Sequence, residues 1–219
     1  AKQRGLPRTM GHRKGAESLT QLLDKAKHLG IRYLTLYAFS SENWGRPADE
    51  VNDLMSLLTH YLDKKRELLD ANKTRLRVIG DLSKLDSKLQ NKINLVIEET
   101  SQYADLNLTI ALSYGSRQEL VRAFKTLATE VANGCRSVDS IQEQDITDAL
   151  YTHDLPELDL LIRTGGEQRL SNFLLWQSAY TELFFTEVLW PDFGDKELKD
   201  ALDSFQQRER RYGTLRTTG

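Results

Sequence analysis

Short apolar runs rich in β-branched and aromatic residues alternate along this chain with segments of helical period, and that alternation leaves few folds open. Ile31-Arg-Tyr-Leu-Thr-Leu-Tyr-Ala-Phe39, Arg75–Gly80, Leu106–Tyr114, Leu158–Ile162 and Phe184–Trp190 read as strands. Between and around them the spacing predicts helices over 16–29, 49–69, 84–103, 117–132, 141–150, around 171–180, and over 196–211. The first carries Leu19, Leu22, Leu23, Ala26 and Leu29 on one face and stops at Gly30. The second places Val51, Leu54, Met55, Leu58, Tyr61 and Leu62 along one stripe. Strands that alternate with helices imply βαβ units. The expected fold is therefore α/β, a single domain with a mainly parallel central sheet flanked by helices. No repeat, low-complexity tract or interdomain linker interrupts the 219 residues.

Composition narrows the function. Apolar residues make up 39% and charged residues 28%, ordinary values for a globular chain. A formal net charge of −2 argues against a general nucleic-acid binder. One cysteine, Cys135, excludes a disulfide within the chain, and no Cys/His cluster suggests zinc. A reducing, cytoplasmic setting is expected. No apolar stretch approaches the roughly 20 residues that span a bilayer.

The chemistry concentrates in Arg163-Thr-Gly-Gly-Glu-Gln-Arg-Leu-Ser171, just past the strand at 158–162. Open α/β sheets bind ligands outside the carboxyl ends of their strands. Arginine forks match phosphate oxygens, and glycines let backbone N–H groups approach an anion. Arg163, Arg169 and Ser171 are thus candidates for a phosphate or diphosphate site; the alternative is pairing of the arginines with surface carboxylates. Arg8, Gly11 and His12 form a second basic patch ahead of a helix, a position that attracts anions, with a frayed basic tail as the other reading. Ser40-Ser-Glu-Asn-Trp44 and Arg46 lie beyond another strand end, with helix capping and turn chemistry as the other reading. Glu182, just before an apolar strand, is a candidate ligand for a hard cation such as magnesium, or else the partner of a nearby arginine.

Taken together, these segments resemble the cis-prenyltransferase family. The resemblance is carried by Gly5-Leu-Pro-Arg-Thr-Met-Gly-His-Arg-Lys-Gly15, Leu36-Tyr-Ala-Phe-Ser-Ser-Glu-Asn-Trp-Gly-Arg-Pro47, Arg77-Val-Ile-Gly-Asp81, Arg163 through Gln177, Glu182-Leu-Phe-Phe185 and Leu189-Trp-Pro-Asp-Phe193, in family order. It implies condensation of isopentenyl diphosphate onto an allylic diphosphate, farnesyl diphosphate, to make a long cis-polyprenyl diphosphate such as undecaprenyl diphosphate, a carrier lipid for bacterial cell-wall synthesis. It implies that Arg163, Arg169 and Ser171 hold the isopentenyl diphosphate group, and that Arg8 and His12 help hold the allylic diphosphate. Ser40, Asn43, Trp44 and Arg46 then belong to a mobile loop over the substrates, with His12, Ser40 and Asn43 on the catalytic side. Glu182 contributes to magnesium binding near a homodimer interface, and Arg211 and Gly213 reach the partner's isopentenyl site. Ala38 and Leu106 match tunnel wall and floor.

A greasy tunnel follows from the implied product. Burying an isoprene unit is worth roughly 3–4 kcal/mol, so affinity alone does not end elongation and tunnel volume must. Part of the 51–62 stripe, Leu54 and Leu58 among it, is then expected to line that tunnel rather than plain core. Release of so apolar a product favours peripheral contact with the inner face of the plasma membrane. The family's Asp-Gly-Asn-Gly-Arg-Trp motif and a first sheet strand are expected immediately before Ala1, and without them the 219 residues are expected to be inactive. Gln168 stands where some relatives carry histidine. Two other readings stay open: a non-catalytic subunit of a prenyltransferase complex, and an unrelated α/β phosphosugar or nucleotide enzyme. The second lacks a P-loop or Gly-x-Gly-x-x-Gly fingerprint.

Overall fold

The computed structural model describes residues 8–208, apart from the side chains at 8, 9, 12, 13, 65 and 66. The order of elements is α1 (Arg8–His28), β1 (Tyr33–Ser40), α2 (Ala48–Ala71), β2 (Thr74–Ile79), α3 (Ser87–Thr100), β3 (Leu106–Tyr114), α4 (Ser116–Ala132), α5 (Glu143–Asp148), β4 (Leu160–Arg163), β5 (Glu182–Phe185) and α6 (Asp195–Gln206). Every strand pair is parallel. The strands run as two ladders, β1-β3-β2 and β4-β5.

β3 is buried along nearly its whole length because it lies between β1 and β2 with helices against the sheet. α3 presents Leu89, Ile93, Val96 and Thr100 to it, a stripe at helical spacing. Asp86 caps that helix by accepting from the Leu89 N–H at 2.9 Å. At its other end Thr100 Oγ1 accepts from the Leu76 N–H at 3.0 Å, which pins α3 to β2. One core cluster joins Leu23, Leu69, Leu76, Val96, Leu106 and Leu108; a second joins Phe39, Val51, Leu85, Leu89, Ile93 and Leu112.

Among the described residues β1 pairs with β3 on one side only, and its other edge has no strand beside it. Leu34 and Leu36 are half-buried and Ala38 is exposed, low burial for an apolar run in a parallel sheet. Residues 31–40 and 155–164, which include β1 and β4, border one cavity of about 2160 Å³. The two ladders therefore face each other across open space.

Several boundaries differ from the sequence expectation. α1 begins at Arg8 rather than near 16, so Arg8, Gly11 and His12 lie within a helix and not in a loop ahead of one. Gly15 explains part of this: the Trp190 indole packs so closely that a Cβ there would stand 2.8 Å from Cδ1, and Trp190 Nε1 donates to Gly15 O at 2.8 Å. The last strand is Glu182–Phe185, not 184–190. Beyond it the carbonyls of Thr186 and Val188 accept from Gly166 and Gly165, so they serve a loop instead of a ladder. No helix forms over 171–180, where Ser171, Asn172 and Leu174 have φ of 51°, 61° and 46°. Among the described residues, no helix is long and apolar enough to cross a membrane.

Candidate anion site at the strand ends

Three strand ends meet at one place. β1 ends at Ser40 and continues as a 3₁₀ turn, Ser41–Gly45. β3 ends at Tyr114, and Gly115 leads into α4. β4 ends at Arg163 and feeds the loop that carries Arg169, Ser171 and Asn172. Asn172 stitches the three together. Its backbone O accepts from the Ser116 N–H at 2.8 Å and its Oδ1 from the Arg117 N–H at 2.9 Å. Its Nδ2 donates to Glu42 Oε1 at 2.7 Å and to Gln118 Oε1 at 3.1 Å.

Within the loop, Arg163 Nη1 donates to Arg169 O at 2.5 Å and to Ser171 Oγ at 2.7 Å. Among the described residues no carboxylate pairs with Arg163, so Nη2 and Nε are left for a ligand. Arg169 does follow the surface-pairing alternative, with Nη1 on Glu167 Oε2. Both side chains are at least half exposed, and such pairs are weak and readily exchanged. The glycines act differently from expectation. Gly165 and Gly166 have φ of 87° and 78°, a conformation that suits glycine. Their N–H groups donate to Val188 O and Thr186 O at 2.9 Å each. They hold the loop against the segment after β5 and are not aimed at an anion.

Ser40, Asn43, Arg46, Arg163, Arg169 and Ser171 all border the same cavity, as do Ala38, Leu54 and Leu58. Asn43 Oδ1 accepts from the Ser40 N–H at 3.0 Å, and Arg46 bonds Glu50 at 2.9 Å, so turn and helix-end chemistry occupies these two groups. Trp44 turns inward instead. Its ring lies edge-on to Phe39 and its Nε1 donates to Ser113 Oγ at 2.9 Å, so it braces the turn from behind.

Leu106 is also behind the wall. It is 0% exposed and packed against Leu69, Leu76 and Leu108, which themselves border the cavity. Glu182 lies within β5, and its Oε2 accepts from Arg208 Nη1 at 2.8 Å. Among the described residues no group of three His, Cys, Asp or Glu side chains is placed to hold a metal ion. The residues present do not by themselves fit a magnesium site. The side chains of Arg8 and His12, and the whole of Arg211 and Gly213, lie outside what the structure describes.

Beneath the loop is a polar network that the sequence reading missed. Glu119, 1% exposed, accepts from Tyr114 Oη at 2.5 Å, the Tyr151 N–H at 2.8 Å and Gln177 Nε2 at 3.2 Å. Three donors stabilise a carboxylate that burial alone would penalise. Burial first, then the Glu119 charge, drive the Tyr114 phenol far above its ordinary range. Tyr37 stacks on Phe173 with centroids 4.4 Å apart and donates to Tyr114 O at 3.0 Å. Burial and the charge of Glu42 push Tyr37 up to about 12, so it remains a neutral donor. An acid at Glu119's position, three residues into a helix, reads from sequence as a solvated first-turn charge; nothing local marks it as buried.

Comparison with known proteins bears on the family and the fold. Residues 1–213 match the family model described as "Putative undecaprenyl diphosphate synthase". An isoprenyl transferase of Clostridium perfringens is 45% identical over 99% of this chain and 85% of its own length. A ditrans,polycis-undecaprenyl-diphosphate synthase of Pasteurella multocida, specific for (2E,6E)-farnesyl diphosphate, is 47% identical over 97% of this chain and 89% of its own. Among solved structures, lavandulyl diphosphate synthase from Lavandula x intermedia, in complex with dimethylallyl diphosphate, superposes with a TM-score of 0.94. It is 36% identical and covers 98% of this chain and 92% of that one. An undecaprenyl diphosphate synthase from Campylobacter jejuni, called probable, gives 0.80 at 39% identity, covering 92% of this chain and 93% of its own.

Proposed function

Because the chain belongs to the undecaprenyl diphosphate synthase family of cis-prenyltransferases, we propose that Arg163, Arg169 and Ser171 grip the isopentenyl diphosphate head group while the cavity beside them takes the growing chain. The activity is condensation of isopentenyl diphosphate with an allylic diphosphate into a long cis-polyprenyl diphosphate. The finer reading makes farnesyl diphosphate the allylic substrate, undecaprenyl diphosphate the product, and a homodimer the working form. The observation that carries it is the Arg163 fork at the end of β4, unpaired with any carboxylate among the described residues and opening on a cavity bordered by Leu54, Leu58 and Ala38.

The chemistry asks for little covalent help from the protein. The allylic C–O bond breaks with its electron pair leaving on diphosphate; the isopentenyl double bond attacks the allylic carbon; one proton is lost. Family membership implies magnesium-dependent chemistry, yet the described residues do not assemble a cage for that ion, so what this chain contributes is side-chain binding and shielding. Arginine at a diphosphate offers fixed donors that need no reorganisation during reaction. The apolar cavity keeps water from cationic carbon. Asn43 and Trp44 act by shaping the turn over the site. Radiolabelled isopentenyl diphosphate, supplied with farnesyl diphosphate and magnesium to the purified dimer of the full-length polypeptide, is expected to enter long-chain lipid. If the dimer binds both substrates but forms no product, it is the non-catalytic subunit instead.

The same reading divides that cavity: the part along Leu54 and Leu58 takes the growing chain, and the part between β1 and β4 takes one further parallel strand, the one the resemblance expects ahead of Ala1. Support comes from the unpaired edges of both strands on one cavity and the half-buried leucines of β1. Exposed edges of this kind are a template for pairing. Amide hydrogen exchange along β1 is expected to slow markedly when that segment is present in the polypeptide. Equal exchange with and without it would refute the assignment.

A further inference from the structure

Asn172 follows Ser171 directly, and the two share a peptide between left-handed residues. Non-glycine residues persist there only where the surroundings over-determine them. Asn172 is held from both sides: its backbone O and Oδ1 by the first N–H groups of α4, its Nδ2 by Glu42 and Gln118. These groups close over Gly115, where a Cβ would stand 2.2 Å from Gln118 Oε1, 2.4 Å from Ser41 Oγ and 2.7 Å from Asn172 Nδ2. No larger residue fits without prising them apart. Burial would raise the Glu42 carboxyl, but the Asn172 amide and backbone bonds outweigh it and hold its pKa below the usual carboxylate value, so the bond is charge-assisted at neutral pH.

We infer that Asn172 is a positioning residue that couples the Ser41–Gly45 turn to the arginine loop, so that Glu42, which does not border the cavity, helps set affinity for isopentenyl diphosphate. The path is short: Glu42 fixes Asn172, Asn172 fixes the backbone of Ser171, and Ser171 Oγ fixes Arg163 Nη1. This rests on the reading of Arg163, Arg169 and Ser171 as the isopentenyl diphosphate site. Asn172 also caps α4, a purely structural task, so its own replacement does not separate the two roles. Glu42 is the separating position, because its bond to Asn172 contributes nothing to the N–H groups of α4.

The test is steady-state kinetics on the full-length enzyme with farnesyl diphosphate, isopentenyl diphosphate and magnesium. Glu42→Ala is expected to raise KM for isopentenyl diphosphate about tenfold, the scale of one charge-assisted hydrogen bond, with a smaller change in kcat. Glu42→Gln keeps an acceptor oxygen and is expected to recover most of that loss. Asn172→Ala is expected to raise KM at least as far, and its effect not to add to that of Glu42→Ala in the double variant. An unmoved KM in Glu42→Ala, a Gln variant no better than Ala, or full additivity would each overturn the coupling. Arg163→Ala, assayed alongside, separates the failures. If it raises KM while Glu42→Ala does not, only the coupling falls; if it leaves KM alone, the site assignment falls and the coupling with it.

Discussion

Arg163→Ala is expected to raise KM for isopentenyl diphosphate by about 100-fold or more, the largest single effect in this site. The cause is local. The guanidinium has two inner bonds, to Arg169 O and Ser171 Oγ, that shape the loop. Its remaining N–H groups have no carboxylate partner among the described residues, and the proposed site gives them to the diphosphate. Charge-assisted hydrogen bonds are worth about 1.5–3 kcal/mol each, and two lost bonds correspond to roughly two to four orders of magnitude. Arg163→Lys is expected to recover little, because an ammonium cannot bond Arg169 O, Ser171 Oγ and a diphosphate in one plane. Steady-state kinetics at varied isopentenyl diphosphate check this, and an unchanged KM in Arg163→Ala would remove the assigned role. Arg169→Ala is expected to cost less, since its solvent-exposed pair with Glu167 must first be exchanged.

Leu106→Ala is expected to have two separable effects. The side chain is fully buried against Leu23, Leu69, Leu76, Val96 and Leu108. Truncating such a leucine typically costs about 2–5 kcal/mol, a large part of the roughly 5–15 kcal/mol that stabilises a domain. A thermal melt should therefore show a clear fall. The second effect reaches the product. Leu69, Leu76 and Leu108 stand between Leu106 and the cavity, so the void lets that wall relax backwards. The product distribution should then shift to longer chains. Chromatography of radiolabelled products reads this directly. A destabilised variant with an unchanged length distribution would mean that the wall does not yield, and that Leu106 is core alone.

The fold was largely legible in the chain because its signals are local. The run 106–114 forms β3 as expected, and the amphipathic helix expected over 84–103 forms as α3, Ser87–Thr100, with Leu89, Ile93 and Val96 on its buried face. The candidate anion loop stood out for a different reason. Arg163, Arg169 and Ser171 sit together just past a strand, and the folded chain brings them to one cavity with Ser40, Asn43 and Arg46. The expectation failed where contacts are distant. Gly165 and Gly166 looked like anion donors, but Thr186 and Val188 take their N–H groups. The stretch 171–180 has helical composition, yet Asn172 is needed at the start of α4, and a left-handed backbone delivers it there. For Glu182 two readings stood side by side, a cation ligand and an arginine's partner, and a bond from distant Arg208 matches the second.

Residue order alone determined the parallel α/β plan and marked the strand ends, with their arginines, as the candidate place for a phosphate. Those follow from periodicity and side-chain type, which neighbours in sequence settle. Only the tertiary structure decided which N–H groups are spent on the fold, that Leu106 stands behind a wall, and that Glu42 and Asn172 meet from opposite parts of the chain. The physical reason is that a hydrogen-bonding group has few partners to give, and which one it takes depends on what folding brings beside it.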